Sequence, residues 1–260
     1  MEILTGSVRS HILTRYALAL FTSWTLLLAR AEEPKLTGDR FDSSEGEITL
    51  HPINHATFVV GWKDNIIYVD PVGGSKKFEG LPKPNLILVT DIHGDHQNND
   101  TLKAVVQANT KIIAPEAVAE KFDPDLRAKT TVLANGQTQT AFDVKIEAVP
   151  MYNLTADRLK FHSKGRGNGY VLTIANKRFY ISGDTEDIPE MRNLKNVDIA
   201  FVCMNLPYTM TVDQAADAVR AFKPKVVYPY HYRGSDLEKF KSLIGSDLGI
   251  DVRIRDWYKD

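Results

Sequence analysis

At 260 residues and 43% hydrophobic content the chain has enough apolar side chain for a substantial core. Its 32 basic and 33 acidic residues nearly cancel and the pI is about 6.7, so no strong field draws it to nucleic acid or to an anionic membrane surface. A single cysteine excludes an intrachain disulfide, and Cys203, inside the apolar run VDIAFVCM, reads as a buried thiol.

Residues 1–31 differ from the rest. Arg9 and Arg15 precede an apolar run from Tyr16 to Ala29, which ends in Ala29, Arg30, Ala31. A positive start, an apolar middle and a small-x-small end are the layout of a secretory signal peptide cut after Ala31. The run is shorter than the ~20 apolar residues of a membrane span and contains Thr22 and Ser23, which argues against an uncleaved anchor. No cysteine at the cut could carry a lipid. The mature product is therefore expected in the periplasm or outside the cell, without a stable membrane anchor.

Residues 32–46 are polar, with Pro34, Gly38 and a Ser-Ser-Glu-Gly run, and read as a flexible lead-in to a domain over 47–260. Ile48 to Ile53, Thr57 to Gly61 and Ile66 to Asp70 read as successive strands, the last two joined by a turn at Lys63-Asp64-Asn65. From Pro84 strands alternate with helices: strand Leu86 to Thr90, helix Thr101 to Gln107, strand Lys111 to Ala114, then a helix with Pro115 at its first position. The outline repeats. Thr130 to Val149 and Gly169 to Ser182 are β-rich, with turn signals at Asn135-Gly136 and Asn176-Lys177. Thr211 with Gln214 and Ser235 with Glu238 have capping-box spacing, predicting helices over about 212–222 and 236–243. Strands Val197 to Met204, Lys225 to Pro229 and Asp251 to Arg255 separate or follow them. Two halves of this kind predict an α/β, four-layer αββα sandwich: two mixed sheets face to face with helices outside.

Residues 89–98, VTDIHGDHQN, place two carboxylates and two imidazoles within six positions where a strand ends. Such groups ligate zinc, manganese and iron; the alternative is a solvated acidic turn. Three other strand ends carry matching chemistry: YVDP leaves Asp70, YISGDT leaves Asp184 and VVYPYHY leaves His231. Sites assemble at the carboxyl ends of strands in α/β architectures, so these four ends point to one site.

The ordered set Asp70, Asp-x-His-x-Asp-His, Gly183-Asp184-Thr185, His231 resembles the metallo-β-lactamase superfamily, over residues from about 47 to 255. NHATFVV, VPMYN, FHSKGRGNGYV and RFYISGDTEDIPEM are more similar to its branch of ascorbate-6-phosphate lactonase and N-acylphosphatidylethanolamine phospholipase D than to true β-lactamases. The resemblance implies the αββα fold and a divalent metal, one or two ions. Asp95, His96, Asp184 and His231 match one complete metal position, with Asp184 the expected bridge to a second. That second position departs from the pattern: Asp91 stands where a histidine is expected, His93 remains, and Asn153 occupies the place of the later histidine. Either His162 completes it or the position is weak or empty. Zinc is the first expectation; the carboxylate of Asp91 would harden the site toward manganese or iron. Asp70 resembles the residue that supports the metal loop by hydrogen bonding from behind.

A metal here acidifies a water and polarises the oxygen under attack, so a hydrolase is implied, acting on an ester, lactone or phosphodiester. Asp95 is the candidate catalytic base. Lys164 and Arg166, in HSKGRGNG, read either as contacts for an anionic group of the substrate or as an ordinary basic turn. Tyr152, Tyr208 and Tyr230 flank these positions, as pocket lining or as packing; Asn153 and Tyr230 join the candidate substrate contacts. His51 and His55 read as structural histidines, although His55 stands at the family's HAT position. The other reading of the whole is a catalytically silent metal-binding or ligand-binding protein on the same fold. The partner expected is a small-molecule substrate, and the oligomeric state stays open.

Overall fold

The segments 57–62, 66–69 and 86–88 are apolar on both faces, and that pattern decides how the layers stack. The computed structural model describes Glu2 and residues 36–258; all but Glu2 of the expected signal segment lies outside the described residues. The first sheet runs in chain order: β1 (Asp39–Ser43), β2 (Gly46–Asn54), β3 (Thr57–Trp62), β4 (Asn65–Val69), β5 (Leu86–Leu88), β6 (Lys111–Ala114) and β7 (Thr130–Val132). Phe58, Val60, Ile67, Val69, Leu86 and Leu88 face the second sheet. Their neighbours Val59, Tyr68, Ile87 and Val89 face the other way, onto α1 (Asn99–Val105), α2 (Glu116–Ala119) and α3 (Pro124–Arg127). A strand buried on both faces reads as a continuous apolar run, which is what LIL of β5 is.

The second sheet also follows the chain: β8 (Thr138–Ala141), β9 (Val144–Met151), β10 (Gly167–Ile174), β11 (Lys177–Ile181), β12 (Ile199–Cys203), β13 (Val226–Tyr230) and β14 (Asp251–Val252). Helices α4 (Pro189–Arg192), α5 (Val212–Phe222) and α6 (Leu237–Ile244) pack against this half; Phe222 of α5 meets Tyr180 edge-on at 5.7 Å. Between the sheets Phe58 stacks on Phe201 with ring centroids 4.3 Å apart. Each sheet is antiparallel at first and parallel from β4 to β7 and from β11 to β14. The parallel strands point their carboxyl ends the same way within a sheet, which brings Asp70, Asp91, Asp184 and His231 to the ends of β4, β5, β11 and β13.

Two local expectations change, and one turn is added. Residues 39–43, inside the expected flexible lead-in, form β1 and pair with β2 from Asp39 against Leu50 to Ser43 against Gly46. Asn135-Gly136 turns the chain as expected and carries it from β7 in one sheet to β8 in the other. The tight hairpin lies at Phe142-Asp143, both at positive φ, 51° and 60°, as a two-residue turn of that hand requires. The Thr211/Gln214 capping box closes in both directions, whereas α6 is capped by Asp236, whose carboxylate accepts from the Lys239 amide. The Ser235 hydroxyl instead donates to the Met204 carbonyl, tying the helix start to β12.

Candidate metal centre

Asp70, at φ 44° after β4, is wholly buried and acts as an acceptor for three donors. The Thr90 amide donates to Oδ1 at 2.8 Å, and the Thr90 hydroxyl and His96 Nδ1 donate to Oδ2 at 2.6 and 2.8 Å. With its proton on Nδ1, the His96 ring presents the Nε2 lone pair to the opposite side, where Asp184 Oδ2 lies at 3.2 Å. Asp184 itself follows Gly183, which sits at φ 60° and whose amide donates to the Tyr230 hydroxyl at 3.0 Å.

His231, at φ 48°, places Nε2 3.3 Å from Asp184 Oδ1 and 3.4 Å from Asp95 Oδ2. Donors held at about 2.0–2.2 Å around a tetrahedral zinc stand about 3.3–3.6 Å apart. The contacts of His96 and His231 with Asp184 and of His231 with Asp95, 3.2–3.4 Å, lie close to that spacing, and His96 Nε2 to Asp95 Oδ1 is longer at 3.9 Å. The Nε2 atoms of His96, His231 and His162 and Asp184 Oδ1 are buried without a hydrogen-bond partner among the described residues. Buried polar atoms are ordinarily satisfied, so this convergence of orphaned nitrogens and oxygen fits a cation. Burial works to raise the Asp184 carboxyl, but the imidazoles of His231 and His96 outweigh it and hold it well below the usual range.

His162 reaches the same carboxylate from the loop between β9 and β10, its Nε2 3.1 Å from Asp184 Oδ2 and 3.7 Å from Asp91 Oδ2. Its Nδ1 donates to the Tyr208 carbonyl at 3.2 Å, again leaving Nε2 as the free acceptor. Asn153 does not face the ligand group: its Nδ2 donates to the same Tyr208 carbonyl at 2.7 Å and to the Arg158 carbonyl at 3.0 Å. His162 is thus the histidine brought to the second position, with Asn153 bracing the backbone behind it. Asp91, His93, His162 and Asp184 form one group with ligand-like spacing. Asp91 is nonetheless already engaged. Arg166 grips it with Nε and Nη2 at 3.0–3.2 Å, and His93 Nδ1 is 2.7 Å from its Oδ2.

Three of the candidate substrate contacts are engaged by the chain itself. Arg166 is matched to buried Asp91, Lys164 is paired with Glu190 at 2.9 Å, and Tyr230 is fully buried under Gly183. His55 departs from its structural reading in the other direction. Its Nε2 lies 3.0 Å from Asp95 Oδ2, its Nδ1 2.7 Å from the Tyr258 hydroxyl, and its ring packs on His231 at 3.7 Å. Burial would raise the Asp95 carboxyl, but hydrogen bonds from His231 and His55 keep it well below its usual range and hence ionised. The HAT position carried that signal; Tyr258 and the Tyr208 carbonyl left none in the sequence, since they act through a distant tail and through backbone.

The sequence profile of the Beta-lactamase superfamily domain matches residues 49–231, from β2 to the last histidine of the centre. The chain belongs to the beta-lactamase superfamily. A UPF0173 metal-dependent hydrolase of Thermococcus onnurineus (strain NA1) is 30% identical over 214 residues, covering 77% of this chain and 93% of that one. The crystal structure of a protein from Parabacteroides distasonis ATCC 8503, assigned as a metal-dependent hydrolase, is 45% identical. It superposes with a TM-score of 0.79 over 86% of this chain and 100% of that one. Igni18, a metallo hydrolase of Ignicoccus hospitalis, shares the fold with a TM-score of 0.68 at 22% identity, over 82% of this chain and 96% of its own. As a superfamily member of this kind the chain is a metal-dependent hydrolase. These similarities support the superfamily as a whole and do not select the lactonase and phospholipase branch within it.

Proposed function

We propose that the protein is an exported hydrolase that uses a single tightly held zinc ion to split an ester, lactone or phosphodiester. The observation that carries this reading is the convergence of the unpartnered Nε2 atoms of His96 and His231 with Asp184 Oδ1. Charge supports one ion over two. Asp95 and Asp184 bring two negative charges to a divalent cation at the position shared with His96 and His231, while the charge of Asp91 is met by Arg166. That pairing also removes the hardening that a free Asp91 would give, leaving an imidazole and carboxylate set suited to zinc.

When bound, the ion acidifies a water and polarises the oxygen of the bond under attack. The residues of the chain do the rest. Asp70 holds the proton of His96 on Nδ1, and the Tyr208 carbonyl holds that of His162 on Nδ1. His55 occupies Asp95 Oδ2 and leaves Oδ1 of this ionised, partly exposed carboxylate to take the proton of the attacking water. Export rests on the reading of residues 1–31, and a mature chain beginning at Glu32 in the periplasm or medium checks it by mass spectrometry.

Elemental analysis of the wild type, His162→Ala and Asp184→Ala tests the centre. One ion per chain, kept in His162→Ala and lost in Asp184→Ala, agrees with this reading. Two ions falling to one in His162→Ala would make the centre binuclear, and no ion after reloading with zinc would remove the metal reading. Turnover on a panel of esters, lactones and phosphodiesters then selects the substrate class.

A further inference from the structure

Large apolar side chains left in water are informative when they gather in one place. Six are exposed among the described residues, and four of them lie on two loops: Leu154 and Leu159 after β9, Leu206 and Tyr208 after β12, between 45% and 51% exposed. Phe161, partly buried, meets Tyr208 edge-on with ring centroids 5.0 Å apart and joins the loops.

This apolar rim is built into the wall of the metal centre. His162 directly follows Phe161, and its Nδ1 donates to the carbonyl of Tyr208, so one hydrogen bond both orients the His162 ring toward Asp184 and fixes the second loop. Asn153 donates to that same carbonyl. Buried Glu186 accepts from the Leu154 and Thr155 amides at 2.6 Å each and pairs with Arg158 at 2.6 Å, which holds the first loop in place. The leucines are therefore displayed on anchored backbone. The two cations that the sequence offered for an anionic group, Lys164 and Arg166, are both matched by carboxylates of the chain.

Resting on the proposed metal-centred hydrolysis, we infer that these loops form an apolar subsite, and that the substrate carries a hydrocarbon group, such as an acyl or alkyl chain, next to the bond that is split. The occupant is part of the substrate because the rim is tied to His162 twice, through Phe161 beside it in the chain and through the Tyr208 carbonyl. Leu154, Leu159, Leu206 and Tyr208 cover the hydrocarbon while the bond under attack lies over Asp184. Binding sites for small molecules have this composition, apolar lining around a few fixed polar groups.

The test compares acetohydroxamate with octanohydroxamate, which share a metal-chelating head and differ by six methylenes, on the full chain loaded with zinc. Octanohydroxamate is expected to bind at least about tenfold tighter, about 1.4 kcal/mol, and the ratio should fall below about threefold in Leu159→Ser/Leu206→Ser. Equal binding of the two by the wild type overturns the apolar subsite and leaves the metal reading standing. A tenfold preference that survives both substitutions also overturns it, because the tail is then read elsewhere. Failure of both compounds to bind zinc-loaded protein strikes the metal reading and this inference together.

Discussion

Replacing Asp70 by Asn keeps shape and volume at a fully buried position and changes only what the side chain can accept. The carboxylate takes three donors: the Thr90 amide on Oδ1, and the Thr90 hydroxyl and His96 Nδ1 on Oδ2. With the amide oxygen retained toward the Thr90 N–H, the new NH2 faces His96 and donates where Oδ2 accepted. His96 can answer only by moving its proton to Nε2, the atom 3.2 Å from Asp184 and one of the orphaned donors of the centre. A proton there occupies the lone pair that a metal needs. Loss of such a supporting partner costs about 10–100-fold in metal affinity, or ~1.4–2.8 kcal/mol. Zinc affinity measured by chelator competition should fall by that factor in Asp70→Asn. Nitrogen chemical shifts of His96 in the metal-free protein should report the changed tautomer. A folded Asp70→Asn with wild-type zinc affinity would refute the argument that Asp70 acts through the His96 proton.

Arg166→Gln leaves Asp91 buried with only the imidazoles of His93 and His162 beside it, so it should lose ~3 kcal/mol in urea unfolding, as removal of one partner of a buried ion pair does. Glu186 is depressed below the ordinary glutamate range: burial acts to raise it, but the Thr155 and Leu154 donors and Arg158 outweigh that. A depressed folded value gives stability that is present above the unfolded value and lost as pH falls through the folded one. Glu186→Gln should therefore be less stable than wild type by about 2 kcal/mol at pH 7, with the gap closing below about pH 4. Thr211→Ala opens the capping box of α5 and should lower stability by ~1 kcal/mol in the same unfolding assay. Chelation of the metal should lower Tm, since an ion at 1,000 times its Kd adds about 4 kcal/mol to the folded state.

Much of the layering is legible in the chain because it rests on local pattern. Runs such as LIL at 86–88 and IAFVC at 199–203 are apolar throughout, which marks strands covered on both faces, and every such strand that ends in Asp or His had to deliver it to one edge. Thr211 with Gln214 predicts α5 because both partners of the box sit on one turn. Ser235 with Glu238 has the same spacing, yet its hydroxyl is drawn to the Met204 carbonyl of β12, a partner 31 residues away that no local rule contains. The Phe142-Asp143 turn was illegible for a similar reason: Asp tolerates positive φ but Phe does not favour it, and the pairing of β8 with β9 imposes it. At the centre the same division holds. Residue type shows that Asp91, Arg166 and His55 are polar groups near a metal loop. Only the fold shows that Arg166 neutralises Asp91 across 75 residues, and that His55 touches Asp95 while the tail residue Tyr258 holds its other nitrogen. Which charge meets which decides whether a carboxylate is a ligand, a base or half of an ion pair, and that pairing is a property of the packed sheets.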